Sequence, residues 1–228
     1  MLNKIFDGLK FVAATLIYIV YPPVCPKCGE IADEYGELCE ECAKNIFHVS
    51  AEENLPENIS GVMRITKYRD GTRELLLRLK FENDLTVLPA IHKILAEVSD
   101  RAEIQNFLAR VDVAVYVPIH QSRMKERGYN QVELIFSDWL KAQNLTAGNF
   151  LVRVKSTPHL FKFGSAERRE ILSKAFKLAE GADVRGKNIL IVDDIYTTGA
   201  TVSECARVLL GAGAAKVFVM ALASDFGE

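Results

Sequence analysis

Two groups of residues stand out by type and spacing. Cys25-Pro26-Lys27-Cys28 and Cys39-Glu40-Glu41-Cys42 are CxxC pairs with ten residues between them. Two residues between thiols let one turn aim both at a single ion, and a second turn completes a tetrahedron. Gly29 supplies the left-handed backbone that such a turn tends to need. Four soft thiolates select zinc over magnesium or calcium. Structural Zn2+ is expected, ahead of an iron–sulfur cluster or disulfides. With Cys25, Cys28, Cys39 and Cys42 as ligands no open catalytic position remains. His48 reads as a solvated loop residue rather than a further ligand. Lys27 and Lys44 read as solvated lysines, and the remote Cys205 as a small buried residue.

The second group is Ile189-Leu190-Ile191-Val192-Asp193-Asp194-Ile195-Tyr196-Thr197-Thr198-Gly199-Ala200-Thr201. Four apolar residues predict a buried parallel strand. Asp193 and Asp194 follow, where open α/β sheets bind ligands. Next come hydroxyls, a glycine and a helix start. Gly199 lets backbone N–H groups approach an anion, and the helix N-terminus adds its dipole. Thr197, Thr198, Gly199, Ala200 and Thr201 therefore predict a phosphate cradle. The paired carboxylates suit the vicinal hydroxyls of a ribose, each accepting one O–H hydrogen bond. The segment is neither a Walker A loop nor GxGxxG. An ordinary strand–turn–helix is the plainer alternative, and two adjacent carboxylates without partners argue against it.

A third region is basic. Residues 116–176 hold ten Lys and Arg against five Asp and Glu, a local +5 in a chain whose total is -2. Arg123, Lys125 and Arg127 cluster ahead of Gly128-Tyr129-Asn130-Gln131. Guanidinium forks suit diphosphate oxygens, and the same surface attracts a nucleic-acid backbone; a solvated basic loop is the alternative. Arg153-Val-Lys155-Ser-Thr-Pro158-His159 leads to Glu167-Arg168-Arg169 and reads as a loop that closes over a ligand. His159 is read either as an acid/base or base-stacking group or as a surface histidine. Tyr68-Arg69, Arg73 and Lys80 lie on a basic helix, read equally as a solvated face or an anion site. Tyr129, Phe161 and Phe163 offer stacking faces.

These residues need positioning elements. Strands are predicted at 62–68, 111–117, 151–154, 189–192 and 216–221. Helices are predicted at 72–80, within 85–107, and at 130–143, 166–175 and 200–210. The alternation argues a parallel sheet flanked by helices. A loop at 51–60 looks like a linker, which divides the chain into residues 1–50, an N-terminal helix and four-cysteine module, and residues 61–228. Ile5, Leu9, Val12, Leu16 and Ile19 recur at helical spacing. An amphipathic helix packed on the body is expected there, with a membrane-surface helix as its rival. The apolar run is too short to span a bilayer. Hydrophobic residues make up 49% and charged residues 25% of the 228 residues, which excludes disordered and fibrous classes. Reduced, clustered cysteines agree with a cytoplasmic location.

Residues 189–201 resemble the 5-phosphoribosyl 1-diphosphate (PRPP) signature of type I phosphoribosyltransferases, with Tyr196 where an aliphatic residue is usual. The order CxxC…CxxC, Tyr68…Lys80, Pro118…Arg123…Arg127-Gly-Tyr-Asn-Gln131, Thr157-Pro158…Arg168 and this signature is similar to that of the ComF/ComFC family over nearly the whole chain. His159 departs from it, since a glutamine is expected nearby. The resemblance implies an α/β fold, a type I phosphoribosyltransferase-like parallel sheet with a small N-terminal zinc ribbon. It implies ribose contacts at Asp193 and Asp194, a 5′-phosphate on Thr197–Thr201, and Mg2+ accompanying PRPP. Arg123 and Arg127 would neutralise diphosphate, and Arg123, Lys125, Arg127 and Tyr129 would meet DNA. The implied role is handling incoming single-stranded DNA during natural transformation, alongside other competence or DNA-uptake proteins. The alternative is an active phosphoribosyltransferase that transfers ribose 5-phosphate to a nucleobase in nucleotide salvage.

Overall fold

A strand with no polar residue must be covered on both faces. In the computed structural model, which describes residues 18–44, 46–52, 54–69, 71–157 and 163–225, Ile189 to Val192 are fully buried. In chain order the elements are α1 (Glu40–Lys44), β1 (Phe47–Ala51), β2 (Gly61–Lys67) and α2 (Thr72–Leu77). A π-helical turn (Arg78–Glu82) extends α2, and a 3-10 turn (Leu85–Val87) follows. Next come α3 (Leu88–Val98), α4 (Ala102–Leu108), β3 (Val113–Tyr116), α5 (Gln121–Arg127), α6 (Gln131–Ala142) and β4 (Ala147–Gly148). The chain ends with β5 (Leu151–Arg153), α7 (Ser165–Leu172), β6 (Phe176–Leu178), β7 (Asn188–Tyr196), α8 (Ala200–Gly211) and β8 (Lys216–Ser224).

Six strands form one sheet in the order β1-β2-β8-β7-β3-β4, and every neighbouring pair is parallel except β1–β2. Alternation along β7 sends Leu190 and Val192 to one face, with α3, α4 and α6, and Ile189 and Ile191 to the other, with α8. On α8, Val202, Cys205, Ala206 and Leu209 are buried at helical spacing. This is the expected α/β architecture, and Cys205 is buried within it. Each fully buried aliphatic side chain of this kind contributes roughly 1.5–3 kcal/mol.

The strands differ from the sequence reading in several places, including β1 and β4, which were not expected. Residues 151–153 pair antiparallel with β6 in a separate two-stranded ribbon. β6 itself was not expected; α7 stops at Leu172, and Lys174 adopts φ 57, which ends any helix before Ala175. β7 continues through the aspartates to Tyr196, because β8 runs beside it as far as Ser224. At the sheet margins, β1 pairs irregularly between Phe47 and Ser50, and β4 is two residues long.

The cysteine module packs on this body. Cys25, Leu38, Cys42 and Ile46 share one buried cluster with α3. Glu37 pairs with Lys93 at 2.8 Å. Gly36 has φ +79, and a Cβ there would lie 1.8 Å from the Thr86 carbonyl oxygen, so only glycine permits this docking. The Lys27 stem lies against Gly71, just ahead of α2. His48 is exposed on β1. Ile5, Leu9, Val12 and Leu16, and likewise Pro158, His159 and Phe161, lie outside the described residues; Ile19 is exposed. No described helix is long and apolar enough to cross a membrane.

Candidate sugar-phosphate site and cysteine centre

The parallel ladder of β3 against β7 ends at Tyr116–Val192, so Asp193 and Asp194 lie just past it, at the carboxyl end. They are only 8% and 5% exposed. Buried carboxylates need partners. Asp194 Oδ2 accepts from Lys80 Nζ at 2.8 Å and from Gln131 Nε2 at 2.9 Å. Gln131 in turn accepts from the Arg127 guanidinium through its Oε1. Asp193 Oδ1 accepts the Asp194 backbone N–H at 2.9 Å. Burial, then the neighbouring Asp194, pushes the Asp193 carboxyl well above the usual range, against the pull of Lys80. A sugar hydroxyl is the kind of partner such a carboxylate lacks.

Local structure explains how these residues meet. Gly128, with φ 84, ends α5, and Asn130 caps α6 by accepting the Val132 N–H at 3.1 Å. The Asn130 amide also donates to the Val117 carbonyl at 3.1 Å, which ties the cap to the end of β3. Gln131, the first residue of α6, thereby points at Asp194. The π-helical turn carries Lys80, and the Tyr129 hydroxyl secures it by donating to the Leu79 carbonyl at 2.6 Å. Such turns are frequent at functional sites.

The cradle follows directly. Gly199, with φ 71, starts α8, and a Cβ there would come 2.8 Å from the Tyr196 hydroxyl. Tyr196 thus requires a glycine at 199. Arg168 Nη1 donates to Thr197 Oγ1 at 3.0 Å, and its Nε donates to the Phe163 carbonyl at 2.8 Å. The pocket formed by Asp193, Thr197–Thr201 and Arg168 is small, about 30 Å³.

The basic segment surrounds this site unevenly. Arg127 is half-buried; burial disfavours its charge, and nearby Asp194 opposes that. Arg123 is half-exposed and Lys125 exposed on the same helix. Arg153 was not singled out as a site residue. It stacks over Phe176 at 5.4 Å, donates to Thr157 Oγ1, and feels the charges of both Arg123 and Asp193. Lys80, Gln131, Arg153 and Arg168 complete the site; Lys80, Gln131 and Arg168 were among the residues that carry the resemblance, Lys80 also with an anion-site reading, whereas Arg153 was visible only as part of a basic loop.

The four cysteine sulfurs lie within 4.8 Å of one another, and Cys28 and Cys39 are 3.6 Å apart. A tetrahedron of zinc–sulfur bonds of about 2.3 Å sets sulfurs roughly 3.8 Å apart, so the donor set fits zinc. Matching turns present them: Gly29 N–H donates to the Cys25 carbonyl and Ala43 N–H to the Cys39 carbonyl, both at 2.9 Å. Burial would raise the Cys25 thiol, yet backbone hydrogen bonds from Cys39, Cys28 and Lys27 lower it to about 7, which favours its thiolate, while burial and the neighbouring thiols push the Cys42 thiol up.

Comparison with known proteins agrees with both centres. Residues 16–53 match a double zinc ribbon domain, and residues 160–225 match a phosphoribosyl transferase domain. DNA utilization protein YhgH of Escherichia coli is 32% identical over 203 residues, covering 87% of this chain and 83% of that protein. Competence protein F of Haemophilus influenzae is 28% identical, covering 88% and 84%. Competence protein ComFC of Bacillus subtilis is 26% identical, covering 84% and 73%.

Proposed function

This chain belongs to the family of competence protein F, ComFC and DNA utilization protein YhgH, and from that premise we propose that it binds PRPP and handles incoming single-stranded DNA in the cytoplasm during natural transformation. The observation that carries the PRPP reading is the Asp193–Asp194 pair on β7 just past the end of its ladder with β3, met by Lys80 and Gln131 and followed by the Thr197–Thr201 cradle. The carboxylates take the ribose hydroxyls and the cradle takes the 5′-phosphate. Arg123 and Arg127 face the diphosphate side. Mg2+ fits this donor set because it is content with few protein ligands and several phosphate oxygens, and it would neutralise diphosphate charge. The names of the relatives support the DNA role, as does the local charge of residues 116–176, where Arg123 and Lys125 remain accessible to a phosphate backbone. Other competence proteins are the proposed partners.

A second reading, transfer of ribose 5-phosphate to a nucleobase, is favoured by the cations around Asp194. Guanidinium groups stabilise a departing diphosphate, and the carboxylates favour positive charge developing at C1′.

The test is calorimetric titration with PRPP and Mg2+, with pyrophosphate release measured against a panel of nucleobases. The Asp193→Asn/Asp194→Asn variant should lose PRPP binding and keep the salt-dependent DNA affinity of the basic segment. Undiminished PRPP binding in that variant would overturn the assignment. Pyrophosphate release with any base would establish the enzyme.

A further inference from the structure

The Thr197–Thr201 loop has two sides. The side toward Asp193 forms the small cradle. Beyond the loop, away from the aspartates, lies a cleft of about 590 Å³. Thr197, Thr198 and Ala200 line both spaces, and Tyr196 lies between them. The β1–β2 connection, with Asn54, Leu55 and Asn58, forms the far wall, and Ser203 of α8 lies on the near one. The volume is in the range that holds small organic ligands. A monophosphorylated ribose seated at the aspartates and cradle leaves this cleft unused.

The lining selects an occupant. The Asn54 and Asn58 amides and the Glu57 carboxylate offer donors and acceptors to a base edge. Leu55 and Pro56 offer apolar surface to a base plane. Arg169 is the one cation of that lining, against Glu52 and Glu57. Glu52 is held by Arg64 at 3.1 Å. Such a lining suits a nucleoside and disfavours a second phosphate. At the opposite end, Asp193 and Asp194 are only 8% and 5% exposed and can accept a hydroxyl hydrogen bond. A deoxyribose seated there must carry a free 3′-hydroxyl, because carboxyls this deeply buried leave no path for a chain continuing through a 3′-phosphodiester.

We propose that the cradle beside Asp193 and the adjoining 590 Å³ cleft, which share Thr197, Thr198 and Ala200, together hold the 3′-terminal dinucleotide of single-stranded DNA. The terminal 3′-hydroxyl meets the aspartates. The last phosphodiester lies in the cradle, and the penultimate nucleoside fills the cleft. The inference rests on the sugar-phosphate reading of the cradle, and it makes PRPP and a DNA 3′ end competitors for one site. Internal DNA and 3′-phosphorylated ends are held by the basic segment alone.

The experiment uses the full-length protein and three single-stranded DNAs of equal composition: linear with a 3′-hydroxyl, linear with a 3′-phosphate, and circular. The 3′-hydroxyl DNA should bind about tenfold or more tightly than either other, the equivalent of one charged contact. PRPP should displace only this extra affinity. Leu55→Trp and Ser203→Trp fill the cleft from opposite walls. Each should abolish the 3′-end preference and leave PRPP affinity within about twofold, well under one such contact. The Asp193→Asn/Asp194→Asn variant should no longer discriminate hydroxyl from phosphate ends. Equal affinity for the three DNAs would overturn end recognition and leave PRPP binding untouched. Failure of the unmodified protein to bind PRPP would instead remove the sugar-phosphate reading itself. Loss of PRPP binding in both folded tryptophan variants would overturn the separate role of the cleft. Cleft-dependent displacement of PRPP by ADP-ribose, without displacement by the 3′-hydroxyl DNA, would overturn DNA as its occupant.

Discussion

Among the residues of the proposed site, Asp193 bears a heavy electrostatic burden. Its carboxyl is raised by burial and by Asp194. A carboxyl raised on folding gives stability that is full below the unfolded pKa and is lost as pH climbs to the folded one. Asp193→Asn should therefore be more stable than the unmodified protein at neutral pH. That advantage should vanish as pH falls through the ordinary aspartate range, as read by urea unfolding at several pH values. Lys80 is the converse case, since its ion pair with Asp194 is largely buried. Lys80→Met should destabilise the fold by about 3–5 kcal/mol, because it leaves a buried charge unpaired. Adding Asp194→Asn should restore much of that loss in a double-mutant cycle. At the cradle, Gly199→Ala meets both a positive φ and the Tyr196 hydroxyl. It should cost roughly 1–3 kcal/mol, and Tyr196→Phe should relieve part of it in the same unfolding measurement. An alanine variant as stable as the unmodified protein would refute the contact.

Elements decide whether these residues meet. The turn between α5 and α6 joins Arg127, Gln131 and Asp194 through one capping residue. Asn130→Ala should cost about 1–2 kcal/mol as a lost cap. It should also weaken PRPP binding, because the Val117 tether goes with it; calorimetry reads the second effect separately. Unchanged PRPP affinity would show that the cap does not position Gln131. The central strands and α8 were legible in the sequence because burial on both sheet faces, or on one helix stripe, imposes a pattern on consecutive residues. Asp193, Asp194 and the cradle were legible as a contiguous segment. Lys80 and Gln131 were named from the sequence, but their contacts to Asp194 were not legible, because these cross 114 and 63 positions and leave no local periodicity. The π-helical turn was hidden for a related reason: Leu75, Leu76 and Leu79 keep an ordinary helical stripe through it. β6, with three residues, was too short to show alternation.

At the scale of the molecule, the cysteine module belongs to the main core. Cys25, Leu38, Cys42 and Ile46 bury against α3, so metal binding is coupled to folding of the sheet domain. Chelation of zinc from reduced protein, or Cys25→Ser, should lower the melting temperature by about 2–4 °C per kcal/mol lost at this length, with one transition rather than two. Metal analysis that finds no zinc in reduced protein would remove the assignment, and two separate transitions would remove the coupling.

The sheet margins carry a last consequence. An open sheet invites strands from other chains wherever a straight row of backbone donors and acceptors is left over. Here one border loses its register between Phe47 and Ser50, and the other is two residues long. Neither gives an incoming peptide a ruler to align against. The open sheet can therefore expose its margins without its own backbone becoming a template for aggregation.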